Sequence, residues 1–208
     1  MIVELFGSPG AGKTYAINLL KPGSIKEDTK RRDYVADAVK GVVKVLLLAM
    51  PLAFDIRKAI RNNIKDISDP DPFPRFKPVK IRTYINNISM LGCVYRYSPN
   101  DIYMDEGIVH RVISMCINYG IGKEICVRII HELYYLVSDV RVIFLYYPRE
   151  ECLKSIISRN RHSCSIDELR GDKLDAFLGF YEDYCQYVCN HFGFEKMDRS
   201  EIAMLEIS

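Results

Sequence analysis

The sequence predicts an α/β protein in which a parallel β-sheet is covered by helices on both faces. A short apolar segment, residues 2–6, stops at a glycine-rich loop that leads directly into a helical pattern. Further along the chain, segments of strand length alternate with segments of helical periodicity, as in sheets built from strand–helix–strand units. A chain of 208 residues is long enough for a full hydrophobic core, so we predict a single domain over residues 1–208.

The elements follow from periodicity and from the residues that end each segment. Strands are expected at residues 2–6, 101–105, 140–147 and 194–197, and helices at residues 13–20, 34–64, 79–95, 109–119, 123–137, 150–159 and 174–192. Pro51 should bend or split the helix at 34–64, and four prolines make residues 69–78 a rigid loop. Ser165 and Glu168 form a capping-box pattern ahead of the last long helix.

Composition narrows the class of protein. The chain is 49% hydrophobic and 27% charged, as in ordinary globular proteins, and its net charge of +2 argues against a dedicated nucleic-acid binder. No signal peptide or membrane span is expected, because the most apolar stretch, residues 45–54, falls short of the ~20 residues that a bilayer requires. A buried helix is the preferred interpretation of that stretch, and a membrane-surface helix is the alternative.

Seven cysteines are scattered mainly through apolar segments. Only Cys185 and Cys189 lie one helical turn apart, without a second pair that would complete a zinc site. We therefore expect reduced, mostly buried thiols and a cytoplasmic location.

The loop GSPGAGKT, residues 7–14, matches the phosphate-binding pattern G-x-x-x-x-G-K-[ST] at every defined position. Glycines allow successive backbone N–H groups to point at phosphate oxygens, Lys13 can reach the outer phosphates, and the Thr14 hydroxyl can ligate Mg²⁺. The pattern predicts binding of a nucleoside triphosphate, taken to be ATP, together with Mg²⁺. The residues assigned to this binding are Gly7, Pro9, Gly10, Ala11, Gly12, Lys13 and Thr14.

A pair of carboxylates follows the second predicted strand, in DIYMDEG at residues 101–107. Ligands bind at the carboxyl ends of parallel strands, so Asp105 and Glu106 are candidate catalytic residues. Asp105 is also a candidate Mg²⁺ ligand, and either carboxylate can take a proton from an attacking hydroxyl. Three roles stay open for Arg111 in the helix that follows: pairing with Glu106, contact with an anionic substrate, or a plain surface position.

The segment SRNRHS, residues 158–163, places Arg159 and Arg161 on a connection between two predicted helices. Guanidinium groups there can close over a transferring phosphoryl group and neutralise its charge. We predict a lid at about residues 158–170, with Arg159 and Arg161 as catalytic residues. An exposed basic loop without a catalytic role is the alternative.

Taken together, GSPGAGKT, the DEG triplet at 105–107 and VRVIFLYYPREECLKSIISRNR at 140–161 resemble P-loop kinases of the nucleoside and nucleotide kinase superfamily. The order of motifs is similar to that of thymidylate kinase and the deoxynucleoside kinases, although DEG replaces their Asp-Arg or Glu-Arg-Ser. The DEG triplet is more like that of small P-loop ATP-binding proteins. The resemblance implies a three-layer P-loop fold with about five parallel strands in the order 2-3-1-4-5. It also implies a helical region for substrate and lid, here an insertion at about residues 33–98.

Three functions are compatible with these motifs. The first is an ATP-dependent kinase whose acceptor, a nucleoside, a nucleotide or a sugar, enters between the core and the 33–98 helices; a homodimer is left open. The second is a P-loop ATPase switch that acts on a protein partner. The third, nucleotide binding without catalysis, is disfavoured by the intact Lys13, Thr14 and Asp105. A GTPase is not indicated, because the guanine-reading pattern N-K-x-D is absent from the sequence.

Overall fold

A computed structural model describes residues 1–20, 45–65, 80–99, 101–136, 140–159, 166 and 169–205. Four strands and eight helices have both ends within these ranges, and residues 45–49 are also helical. In chain order they are β1 (Ile2–Phe6), α1 (Lys13–Leu20), α2 (Pro51–Ile64), α3 (Ile81–Tyr97), β2 (Ile102–Met104), α4 (Ile108–Asn118), α5 (Lys123–Leu136), β3 (Val140–Tyr146), α6 (Arg149–Ser158), α7 (Gly171–Phe192), β4 (Glu195–Asp198) and α8 (Arg199–Leu205).

The four strands form one sheet in the order β2-β1-β3-β4, with every neighbouring pair parallel. Strand β1 lies inside the sheet, with Ile2 opposite Ile102 on one side and Val140 on the other. All five residues of β1 are buried, as expected for a strand that is covered on both faces. The predicted class, α/β with a parallel sheet flanked by helices, is therefore confirmed.

The finer topology differs from the expectation of about five strands in the order 2-3-1-4-5. The described residues form four strands in the order 2-1-3-4. The same order results when strand 2 is removed from the expected order and the remaining strands are renumbered along the chain. Within the part of the chain that the structure describes, one of the expected strands is therefore missing. That strand was expected from the resemblance alone, because local pattern supports four strand segments in this sequence.

Two groups of helices cover the sheet. Helix α4 packs on β1 and against α3, α5 and α7, whereas α1 packs against β1, β2 and α8. Helix α2 packs against α3 and α5, and its Ile56 and Ile60 are fully buried in the same hydrophobic cluster as Leu5 and Phe144. The helices within the predicted 33–98 region therefore share the core of the sheet.

The ends of the helices follow local chemistry. Pro51 occupies the first position of α2, where its missing N–H costs nothing, so the helix begins at this residue. Gly193 ends α7 in the left-handed conformation with φ 64°. The seven-residue helix α8 was not predicted. Residues 34–44, the proline loop at 69–78 and the capping pair Ser165 and Glu168 lie outside the described residues.

Two predictions from composition can be compared with the described part of the chain. The six cysteines there are buried and form no disulfide, as expected. Among the described residues, no helix combines the length and apolar character that a membrane crossing needs. The boundaries predicted for the single domain, the insertion and the lid stay predictions.

Candidate functional site

The glycine-rich loop, residues 7–12, connects the carboxyl end of the buried strand β1 to the first turn of α1. It begins to turn where the Ala11 N–H donates to the Ser8 carbonyl at 3.1 Å. Gly10 has φ 86°, and a Cβ at this position would lie 2.5 Å from the carbonyl oxygen of Cys152 on α6. A side chain at residue 10 is therefore excluded both by backbone conformation and by the close approach of α6.

Lys13 folds back across this loop. Its Nζ donates to the carbonyl oxygens of Gly7 at 3.0 Å and Ser8 at 3.1 Å, and the side chain is buried. Burial lowers the pKa of Lys13 from its ordinary value, while the negative charges of Glu106 and Asp105 act against this shift. The ammonium thus lies at the loop, in the field of both predicted carboxylates.

Thr14 and Asp105 are brought together although 91 residues separate them. Thr14 lies at the start of α1, and Asp105 is the first residue after β2. The Thr14 hydroxyl donates to Asp105 Oδ2 at 2.6 Å. A hydroxyl and a carboxylate side by side are hard oxygen ligands of the kind that Mg²⁺ takes, usually one or two from protein, with the remainder from phosphates and water. The donor set therefore fits Mg²⁺ bound together with phosphates. Among the described residues there is no cluster of three or more His, Cys, Asp or Glu that would hold a metal alone.

The side chain of Glu106 contacts a different partner from that of Asp105. Arg111, one turn into α4, donates from Nε to the Glu106 carbonyl at 3.1 Å, and its Nη2 lies 3.9 Å from the Glu106 carboxylate. Of the three roles left open for Arg111, the structure shows the pairing with Glu106. The two carboxylates of the DEG triplet thus contact different partners, Thr14 and Arg111.

The predicted lid is described only in part. Arg159 ends α6 with its side chain exposed, and its Nη2 donates to Ser155 Oγ at 3.3 Å. Arg161 lies outside the described residues. Arg170 stands at the N-cap of α7 and donates to the Leu169 carbonyl at 2.7 Å. The catalytic role of Arg159 and Arg161 stays a prediction.

Glu4, in the middle of β1, was missed by sequence reasoning. Its side chain is 1% exposed, and its carboxylate accepts hydrogen bonds from the Val109 N–H at 2.6 Å, the His110 N–H at 3.3 Å and the Tyr95 hydroxyl at 3.1 Å. The signal that would have found it is an acidic residue inside a short segment, IVELF, that is otherwise apolar.

Arg199, directly after β4, was also missed. Its guanidinium carbon lies 4.5 Å from the ring centroid of Tyr147 and 6.0 Å from that of Tyr15. A Cβ built on Gly12 would lie 3.0 Å from Arg199 Nε, so the guanidinium also borders the glycine-rich loop. No local pattern marks this arginine, because the chain brings it to the loop only through the parallel pairing of β4 with β3.

Helix α4 carries a polar face (His110, Ser114 and Asn118, spaced four residues apart), and His110 lies within the field of the Lys13 charge. The Tyr181 hydroxyl on α7 lies 2.6 Å from Ser114 Oγ and 3.3 Å from His110 Nε2. Burial lowers the pKa of His110 well below its ordinary value, and the positive charge of Lys13 acts in the same direction. His110 is therefore a neutral, buried imidazole near the loop.

Comparisons of the chain with protein-family models, with curated proteins and with solved structures found no match. Function is therefore inferred from the motif of the glycine-rich loop and from the geometry of the site.

Proposed function

We propose that this protein transfers a phosphoryl group from ATP to a small-molecule acceptor, with Mg²⁺ as the metal. The observation that carries the proposal is the 2.6 Å contact between Thr14 and Asp105, beside a glycine-rich loop that Lys13 crosses. The loop sequence alone predicts phosphate binding. The contact adds a carboxylate at the position where a phosphate-bound Mg²⁺ needs a second protein oxygen.

Each residue has a distinct task in this proposal. The backbone N–H groups of the loop and the Lys13 ammonium hold phosphate oxygens, and Thr14 and Asp105 hold the Mg²⁺. When bound, the metal neutralises phosphate charge and orients the phosphate oxygens. The bond between the γ-phosphorus and the oxygen that leaves with ADP breaks, the acceptor oxygen bonds to phosphorus, and a hydroxyl acceptor loses its proton to a carboxylate or to water.

Arg199 and Tyr147 favour a nucleotide over a simple polyphosphate. A guanidinium plane and an aromatic ring next to the phosphate loop are groups on which a nucleobase stacks. The acceptor, a nucleoside, a nucleotide or a sugar, is proposed to enter between the core and the 33–98 helices. The cytoplasmic location stays part of the proposal, and a homodimer is still left open.

A P-loop ATPase switch that acts on a protein partner is the second candidate. One observation favours it: Val45, Leu46 and Phe54 are 67%, 63% and 58% exposed along the segment at 45–64. Exposed apolar side chains close together are typical of protein contact surfaces. The two candidates differ in stoichiometry, because a kinase needs an acceptor for turnover and yields a phosphorylated product.

The test is ATP consumption with Mg²⁺, with and without pools of nucleosides, nucleoside monophosphates, sugars and sugar phosphates. A kinase shows turnover well above the bare rate with one pool, together with its phosphorylated product. Lys13→Ala should lower that turnover by several orders of magnitude, whereas the matched variant Lys154→Ala, on the exposed side of α6, should leave it unchanged. Full turnover in Lys13→Ala, or no response to any pool, contradicts the kinase proposal.

A further inference from the structure

The buried carboxylate of Glu4 connects the two halves of the candidate Mg²⁺ site. Glu4 lies three residues before Gly7, on the strand that leads into the glycine-rich loop. The groups that donate to it, the N–H groups of Val109 and His110, lie four and five residues after Asp105. Glu4 therefore connects β1, whose loop leads to Thr14, with the turn after β2 that contains Asp105.

The contacts of Glu4 are those of a carboxylate that anchors a helix. Oε1 accepts from the Val109 N–H at 2.6 Å, and Oε2 accepts from the Tyr95 hydroxyl at 3.1 Å. Val109 and His110 belong to the first turn of α4, whose N–H groups have no partner within the helix. In its ionised form the carboxylate also interacts favourably with the dipole of α4, because it lies at the helix N-terminus.

Gly107 allows this anchor to approach the turn. A Cβ on residue 107 would lie 2.2 Å from Glu4 Cδ and 2.3 Å from the Tyr95 hydroxyl oxygen. The carboxylate thus occupies the space directly beside the Gly107 backbone, two residues after Asp105. A displacement of this carboxylate would move the Asp105–Gly107 turn relative to β1.

Filling of space alone does not account for Glu4. The residue is opposite Met104 on β2 and Val142 on β3, and both sheet neighbours are apolar. Burial raises the pKa of Glu4 to about 7, so the ionised carboxylate is an expensive way to fill the centre of a sheet. An apolar side chain of similar size would fill the same volume without this cost, but it would leave the first turn of α4 without its acceptor.

We propose that Glu4 is a positioning residue that sets the distance between Thr14 and Asp105 for Mg²⁺. The proposal rests on the proposed function and names a residue that acts through the turn, without contact to the metal. It requires that loss of the acceptor at Glu4 weakens Mg²⁺ binding more than it weakens binding of the nucleotide itself.

The experiment measures ATP binding by calorimetry at increasing Mg²⁺ concentrations and in EDTA, for the wild type, Glu4→Met, Glu4→Gln and Ser89→Ala. Glu4→Met should raise the half-saturating Mg²⁺ concentration roughly tenfold, at the lower end of what loss of an outer-shell partner costs. Binding in EDTA should be unchanged. Glu4→Gln keeps an oxygen acceptor for the Val109 N–H, so its effect should be much smaller. The control Ser89→Ala, which removes a buried hydroxyl bonded only to Ile85 of its own helix α3, should match the wild type.

The outcomes separate the two proposals. A wild-type chain that binds no ATP with Mg²⁺ overturns the proposed function, and the positioning role falls with it. A wild type that binds, with an unchanged Mg²⁺ requirement in Glu4→Met, overturns the positioning role alone. An equal rise of the half-saturating Mg²⁺ concentration in Glu4→Met and Glu4→Gln also overturns the positioning role, because Glu4→Gln keeps an oxygen acceptor for the Val109 N–H. If Glu4→Met does not fold, Gly107→Ala takes its place, because its methyl group would lie 2.2 Å from Glu4 Cδ and displace the carboxylate, and an unchanged Mg²⁺ requirement overturns the role.

Discussion

Two buried ionisable side chains flank the glycine-rich loop, and each is held by backbone groups of the opposite polarity. The Lys13 ammonium donates to two loop carbonyls, and the Glu4 carboxylate accepts from two helix amides. Burial opposes both charges, as it lowers the pKa of Lys13 and raises that of Glu4. Backbone N–H and C=O groups therefore replace part of the solvation that water gives to exposed charges. The hydrogen bonds of both side chains depend on the local backbone conformation.

The pH dependence of stability should report the state of Glu4. Its pKa is raised from 4.5 to about 7 by burial, so between these values the folded chain binds more protons than the unfolded chain at this residue. Stability from this group is then lost as the pH rises through that window. One pKa unit corresponds to about 1.4 kcal/mol, so a shift of this size is a loss of a few kcal/mol. Urea unfolding across the window should show this loss in the wild type and a flatter profile in Glu4→Gln.

A control for this prediction is Glu150→Gln, on the exposed first turn of α6. Its profile should follow that of the wild type, because the carboxyl removed there is in contact with solvent. If Glu4→Gln shows the same slope as the wild type, the carboxyl of Glu4 does not titrate in this window. The hydrogen bonds from α4 would then outweigh the cost of burial.

At the residue scale, the sequence predicted the site residues that belong to a short local pattern. Lys13 and Thr14 are marked by a motif, and Asp105 by its place after a strand. Glu4 and Arg199 reach the site through contacts between residues far apart in the chain: Glu4 meets Val109 across 105 positions, and Arg199 meets Tyr147 through the pairing of β4 with β3. Periodicity and spacing carry no record of such contacts.

At the scale of elements, the turn between β2 and α4 depends on the absence of a side chain at residue 107. Gly107→Ala would place a methyl group 2.2 Å from the carboxyl carbon of Glu4. We expect a loss of roughly 1–3 kcal/mol in unfolding free energy, the usual cost of overpacking a buried site. Chemical unfolding measures this loss, and it should shrink without vanishing in the background Glu4→Ala, where the carboxylate is gone but the Tyr95 hydroxyl remains 2.3 Å from the same position.

Gly122→Ala is the matched control for this change. A Cβ at Gly122, just before α5, would meet only Glu124 Oε2 at the ordinary contact distance of 3.4 Å, so little destabilisation is expected. Equal losses for Gly107→Ala in the wild-type and Glu4→Ala backgrounds would show that the two residues do not compete for the same space.

Most elements were predictable because glycine and proline mark their ends. Helix α1 has the predicted bounds, β3 ends one residue earlier than predicted, and Pro51 begins α2 at the point where a break was expected. Helix α8 is seven residues long, too short to show two turns of periodicity, and the sequence did not reveal it. Strand β2, predicted at residues 101–105, is shorter than predicted and has three residues, Ile102–Met104.

At the scale of the molecule, the candidate site collects groups from the carboxyl ends of all four described strands. The glycine-rich loop follows β1, Asp105 follows β2, and Tyr147 and Arg199 follow β3 and β4. Parallel pairing alone places these ends on one edge of the sheet. The order of strands could not be predicted from local pattern, because it depends on which buried faces pack together after the chain has folded.

A ligand that bridges these strand ends should stabilise the whole fold. We predict that ATP with Mg²⁺ raises the thermal unfolding midpoint, with a gain of about 2.7 kcal/mol at a hundredfold excess over Kd. Lys13→Ala should abolish the shift. Asp105→Asn should keep the shift seen with ATP in EDTA but lose the increment that Mg²⁺ adds, because the residue contacts Thr14 and not the loop amides. Scanning calorimetry of the three chains, each with ATP in EDTA and with ATP and Mg²⁺, separates the phosphate contribution from the metal contribution. An Mg²⁺ increment in Asp105→Asn equal to that of the wild type would remove Asp105 from the metal site and leave only the loop and Lys13 in the nucleotide site.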